Sequence, residues 1–138
     1  MFIECQTQFG KAILYNVNNI VFVGDMKDKV SFQLDDGTFC HFPDEYNSIV
    51  KRIIELSKLE PSPSAYIQFT TKKEERIAFP IRRIFYIIEQ TSTTAIMFND
   101  GTRIEVVEDY ESVMRRIYGK IDVAVTVDAS TLTKRSKG

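Results

Sequence analysis

Tryptophan is absent, histidine occurs once and cysteine twice, and no apolar run approaches the roughly 18 residues that a membrane-spanning helix needs. A surplus of one charge sign is missing too. With 18 basic and 19 acidic residues the formal charge is -1, so nothing pulls the whole chain toward nucleic acid or an anionic membrane, and an electrostatic partner must be met by a local patch. Cys5 and Cys40, with His41 beside the second, fall short of the four ligands of a structural zinc site, and no CxxC spacing is present. There is no glycine-rich phosphate loop. Nothing in the chain groups a nucleophile, a base and an orienting residue. The expectation is therefore a non-enzyme with no cofactor and no metal. The opening "MFIECQTQFG" lacks the basic-then-apolar pattern of a secretory leader, which points to the cytoplasm or to a particle assembled there, with no membrane partner.

What is present is an ordinary globular composition, 43% hydrophobic and 27% charged over 138 residues, enough for one good core or two small ones. It is also written twice. "LDDGTF" at Leu34 to Phe39 returns as "FNDGTR" at Phe98 to Arg103, 64 residues on. Sliding the chain by that interval without a gap sets Ile3 on Ile67, Thr7 on Thr71, Ile13 on Ile77, Ile20 on Ile84 and Tyr46 on Tyr110, among eleven identities over residues 1–54. The apolar pattern follows the same interval, with Val21-Phe22-Val23 on Phe85-Tyr86-Ile87 and Ile49-Val50 on Val113-Met114. An internal duplication accounts for this.

Each half reads as short strands followed by one helix. Ile3, Cys5 and Thr7 alternate with Phe2, Glu4 and Gln6, and Ile67 and Phe69 with Tyr66 and Gln68, the period of a half-buried strand. The next strand is expected to bury Ile13, Tyr15 and Val17, or Ile77, Phe79 and Ile81. "IVFV" and "IFYII" are apolar at consecutive positions, which predicts a central strand covered on both faces in each half.

The repeated turn is decided by register. A two-residue turn at Asp36-Gly37 would set Phe32 opposite His41 and Ile96 opposite Glu105, placing charge on the apolar face. A three-residue loop closed by a left-handed glycine sets Phe32 opposite Cys40 and Val30 opposite Phe42, and Ile96 opposite Ile104 and Thr94 opposite Val106. One face then becomes apolar in both hairpins. Asp36, Gly37, Asp100 and Gly101 are thus structural turn residues, without the alternating oxygens of a calcium loop.

Helical spacing follows at Tyr46, Ile49, Val50, Ile53, Leu56 and Leu59, and at Tyr110, Val113, Met114 and Ile117, with Gly119 as a candidate stop. "LEPSPSA" reads as a linker. "IDVAVTV", Ile121 to Val127, alternates and reads as an added strand, and "TLTKRSKG" as a basic tail. The predicted organisation is a first module over 1–58, a linker over 59–64, a second module over 65–119, an extra strand over 120–128 and a tail over 129–138. The fold class is α+β: two tandem repeats related by a pseudo-twofold axis, each an antiparallel sheet of about five short strands followed by one helix.

The duplication also offers an internal control. Cys5 stands where Phe69 stands and Cys40 where Ile104 stands, so both thiols read as core fillers. His41 matches Glu105, and both are turned outward by the register. One asymmetry is basic: Asn18-Asn19 becomes Arg82-Arg83, with Lys72, Lys73 and Arg76 near in sequence. Residues 1–54 hold 5 basic and 7 acidic residues, and residues 65–118 hold 8 of each, so the local charge is cancelled. Lys72, Lys73, Arg82 and Arg83, with Lys134 and Arg135 of the tail, are the candidate nucleic-acid contacts.

At the level of one repeat, the order "FIECQTQFGKAILYNVNNIVFV", "VSFQLDDGTFCHF", "EYNSIVKRII" in the first half resembles the small FlbD-like family of flagellum-associated proteins, and the second half follows the same order. The matching positions are Asn16, Ile20, Asp36, Gly37 and the helix from Glu45, then Pro80, Ile84, Asp100, Gly101 and the helix from Asp109. The resemblance implies no enzyme activity and no established ligand. The expectation from sequence is a non-enzymatic interaction or assembly module, a structural component of a bacterial or phage particle (a virion component). Its partner would be a protein or a second copy, joined by strand addition through Ile121 to Val127. The alternative is a nucleic-acid-binding accessory or regulatory protein using the basic residues of the second half and the tail.

Overall fold

A computed structural model describes residues 1–120 of the chain. The added strand and basic tail expected beyond Lys120 lie outside the described residues. Alternation at the start gives β1 (Phe2–Gln6) and β2 (Ala12–Asn16), and a single 3-10 turn (Val17–Asn19) leads into β3 (Ile20–Asp25), β4 (Val30–Leu34), β5 (Phe39–Phe42) and the helix α1 (Tyr46–Ser57). The same order then recurs: β6 (Tyr66–Thr70), β7 (Arg76–Pro80), a 3-10 turn (Ile81–Arg83), β8 (Ile84–Glu89), β9 (Thr94–Phe98), β10 (Arg103–Val106) and α2 (Tyr110–Lys120). The fold is α+β, mostly strands in three antiparallel sheets: β1-β2, β5-β4-β3-β7-β6 and β10-β9-β8.

The hairpins take the register that turn chemistry predicts. Val30 lies opposite Phe42 and Phe32 opposite Cys40, while Thr94 lies opposite Val106 and Ile96 opposite Ile104. Leu34 N–H donates to Thr38 O at 2.8 Å and Phe98 N–H to Thr102 O at 2.9 Å, closing the two loops. Gly37 and Gly101 sit at φ 90° and 93°, where a side chain would be strained. The Asp36 carboxylate accepts from Thr38 N–H at 2.8 Å and the Asp100 carboxylate from Thr102 N–H at 3.0 Å, so each aspartate holds its own turn.

Two cores flank the central five-stranded sheet. Ile3, Val17, Ile20, Val23, Phe32, Phe42, Ile49 and Ile53 are buried together with Ala78 from the second half. Ile67, Phe69, Ile77, Phe79, Ile96, Phe98, Val113 and Ile117 are buried together with Val21 from the first. Along β7, Ala78 thus turns to one core while Ile77 and Phe79 turn to the other, which puts the cores on opposite faces of the sheet. The thiols behave as fillers. Cys5 is buried and Cys40 half-buried, and burial pushes the Cys5 thiol up to about 11 against the opposing pull of Arg52.

Several expectations need correction. β3 is central as expected, paired with β4 and β7. β8 is not. Among the described residues it pairs with β9 alone, leaving Phe85, Tyr86 and Ile88 exposed, because a run of apolar residues becomes central only if another strand arrives on its outer side. For the same reason Ile13 of β2 is exposed, although Ile77 at the matching position is buried. A twofold axis would pair β8 with β2 as β3 pairs with β7, and among the described residues no such pair forms. The halves are therefore joined head to tail. Leu59 falls beyond α1 and is exposed, and α2 runs through Gly119 to Lys120, since a glycine inside a helix costs only about 1 kcal/mol.

Candidate nucleic-acid interface

Strand pairing brings two lysine-bearing turns together. Because β3 and β7 run antiparallel with Gly24 opposite Ile77, the end of β3 adjoins the start of β7. Residues 26–29 and 71–75 are then neighbouring turns. The first is closed by Met26 N–H donating to Lys29 O at 2.9 Å and by the Asp25 carboxylate accepting from Lys27 N–H at 3.2 Å. The second is closed by Thr71 N–H donating to Glu75 O at 2.8 Å. Lys27, Lys29, Lys72 and Lys73 are all exposed at this edge.

Between these turns and β10 lies a cleft of about 470 Å³, lined by Phe22, Met26, Phe39, Lys72, Lys73 and Arg103 among others. Its charges are graded by how firmly they are held. Arg76 is fixed, with its guanidinium 2.7 Å from the Asp25 carboxylate, 3.0 Å from Asn47 Oδ1 and 4.5 Å over the Tyr46 ring. Arg103 pairs with Glu105 at 3.2 Å. Lys72 reaches the same carboxylate at only 3.8 Å with its side chain 70% exposed, an arrangement worth about 0 to 1 kcal/mol. Lys73 has no ion-pair partner among the described residues. Lys72 and Lys73 can thus turn to an anion at little cost, whereas Arg76 cannot.

The other predicted contacts lie elsewhere. Arg82 is exposed at the far end of β7, about 17 Å away at 3.3 Å per residue, where its backbone N–H donates to Ser64 Oγ at 3.2 Å. Arg83 is 8% exposed. Its guanidinium donates to the Asp35 carboxylate at 3.1 Å, to the carbonyl of Asn18 and to Asn99 Oδ1 at 3.4 Å. It is a strut between the halves and is withdrawn from any ligand. Burial first of all also raises the nearby Tyr66 hydroxyl, against the influence of Arg82 and Arg83. Lys134 and Arg135 lie outside the described residues. Asp36, Gly37, Asp100 and Gly101 lie in the two hairpin turns. Sequence reasoning passed over Lys27 and Lys29, since only a strand pairing across more than 50 residues sets them beside Lys72 and Lys73.

Among the described residues no group of three or more His, Cys, Asp or Glu side chains is placed to hold a metal ion, and no helix is long and apolar enough to cross a membrane. No protein-family model and no curated protein matches the sequence. Among solved structures the chain is similar to a LytTr DNA-binding domain from Bacillus cereus. The similarity covers 86% of this chain and 96% of that one, at 17% identity and a TM-score of 0.53. It establishes a likeness of fold. The preference for an assembly module and particle component is overturned by this likeness, because the fold is shared with a DNA-binding domain.

Proposed function

We propose that this protein is a nucleic-acid-binding accessory or regulatory protein, without enzyme activity, that meets phosphates along the edge formed by residues 26–29 and 71–75. The observation that carries the proposal is the fold likeness to a DNA-binding domain across 86% of the chain. The exposed Lys27, Lys29, Lys72 and Lys73 supply the chemistry, since loosely held ammonium groups displace counterions from a nucleic-acid backbone. Asp28, Glu74 and Glu75 in the same turns limit the field, so binding is weak unless the backbone runs close to the lysines.

We also propose a tandem duplication, supported by backbone hydrogen bonds that recur at an interval of 64 residues. Val17 N–H to Met1 O returns as Ile81 N–H to Ala65 O, Asp35 N–H to Asn19 O as Asn99 N–H to Arg83 O, and Met26 N–H to Lys29 O as Gln90 N–H to Thr93 O. The FlbD-like resemblance of each half belongs to this proposal about origin.

The test is duplex-DNA anisotropy as a function of salt. Lys72→Ala/Lys73→Ala and Lys27→Ala/Lys29→Ala should each lower the slope of log K against log salt by about 0.9 for every phosphate that is no longer neutralised. An absence of binding at low salt, or slopes unchanged in both variants, would overturn the assignment.

A further inference from the structure

Among the described residues, both ends of the fold carry a strand edge that lacks a neighbour. At the 64-residue interval β8 is the counterpart of β3, and β2 is the counterpart of β7. β3 and β7 pair with each other, Val23 opposite Ala78 and Gly24 opposite Ile77. The outer edges of β8 and β2 pair with nothing among the described residues. Exposure follows the missing partner. Val21 is 0% exposed and its counterpart Phe85 71%, while Ala78 is 2% exposed and its counterpart Leu14 63%. Free edges are commonly blunted by charge or proline. These two are apolar instead, β8 carrying Phe85, Tyr86 and Ile88 and β2 carrying Ile13 and Leu14.

We propose that β2 of a second copy of this chain adds to β8, antiparallel, with Ile87 opposite Leu14 and Ile88 opposite Ile13. The three strands β10-β9-β8 and the two strands β2-β1 then complete a five-stranded sheet of the kind the chain already builds once. Side-chain bulk is compatible with this. A Cβ on Gly24 would stand 2.6 Å from Ser31 Oγ, whereas Ile88 lies opposite Ala95, so β8 has room for the larger residue. The Arg76–Asp25 ion pair at one end of the internal junction has as its counterpart Glu89 facing Ala12, with Lys11 next in sequence. Leu14 and Ile88, in place of Ala78 and Gly24, give the new junction more apolar surface. Each copy offers β8 at one end and β2 at the other, so the association is head to tail and grows into a series or closes as a ring. This goes beyond nucleic-acid binding and stands or falls without it.

The test uses the full chain without nucleic acid, by light scattering across a concentration series. The parent should show masses above the monomer that rise with concentration. Leu14→Lys and Phe85→Lys, both at exposed positions, should each be monomeric at the same concentrations. An equimolar mixture should form a species of twice the monomer mass and nothing larger, because only one intact β8 and one intact β2 edge remain to meet. Should either lysine variant misfold, chains carrying Ile13→Cys mixed with chains carrying Ile88→Cys should form an interchain disulfide between those positions on oxidation. A parent that stays monomeric throughout would overturn the proposal. So would single variants that associate as the parent does.

Discussion

Replacing Gly37 by alanine isolates the energy of one backbone conformation. Gly37 and Gly101 stand at φ 90° and 93°, and a Cβ built at either meets no atom within 4 Å. Neither a clash nor a new neighbour enters, and the cost is that of a left-handed L-residue, about 1–2 kcal/mol at each site. Alanine also restricts the unfolded chain, which offsets about 0.4–1 kcal/mol, so a net loss of about 1 kcal/mol per glycine is expected. The turns belong to separate hairpins, and the double variant should lose about twice as much. Urea unfolding reads this directly: the midpoint falls while the slope stays constant, since the surface exposed on unfolding is unchanged. Asparagine at either position should recover part of the loss, because its short polar side chain visits this region more readily. Gly119→Ala should act with the opposite sign and stabilise by about 0.5–1 kcal/mol, being inside α2 with open space around it and helical backbone. Neutral Gly37→Ala and Gly101→Ala variants, or an asparagine as costly as alanine, would refute the three-residue loop as the element that holds register.

Arg83→Ala should destabilise by about 1–3 kcal/mol, because it empties a buried site and removes the hydrogen bonds to the Asn18 carbonyl and the Asp35 carboxylate. The salt dependence of any nucleic-acid binding should stay as in the parent, and a changed slope without lost stability would reverse the assignment of Arg83 as a strut. The Asp36 carboxyl is held below its usual range, first by the Thr38 N–H and then by the Thr38 hydroxyl. With the folded value depressed, the contribution to stability is present above the ordinary carboxylate range and is lost as pH falls through the depressed value; a carbon-detected NMR titration placing Asp36 at or above an unstructured aspartate would contradict this. The Cys5 thiol, pushed up to about 11 mainly by burial, should be alkylated about two to three orders of magnitude more slowly at mildly alkaline pH than in urea, and equal rates would show that β1 opens freely.

What sequence revealed and what it hid separate along local and non-local lines. The hairpin register was legible because it depends on neighbouring residues alone: turn chemistry at Asp36-Gly37 and Asp100-Gly101, and the parity of Phe32, Cys40, Ile96 and Ile104. The helices at Tyr46 and Tyr110 were legible for the same reason, from spacing. "IVFV" and "IFYII" look alike in one dimension, yet Val21 is sealed and Phe85 lies open, because a second half follows β3 and supplies β7, whereas none of the described strands reaches the outer edge of β8, the side away from β9. The basic residues divide in the same way. Lys72, Lys73, Arg82 and Arg83 are close in sequence, but β7 carries them to opposite ends, and the partners of the first two, Lys27 and Lys29, come from a turn more than 40 residues earlier.

The placement of Ala78 in one core and Val21 in the other means that neither half owns its interior. A protease cut within 59–64 should leave two pieces that stay clasped and keep their shape, while either piece made alone should lack a wall and fail to fold. The two halves differ in surface and charge, as Asn18-Asn19 and Arg82-Arg83 do, yet each supplies a wall that the other lacks, and neither can be discarded.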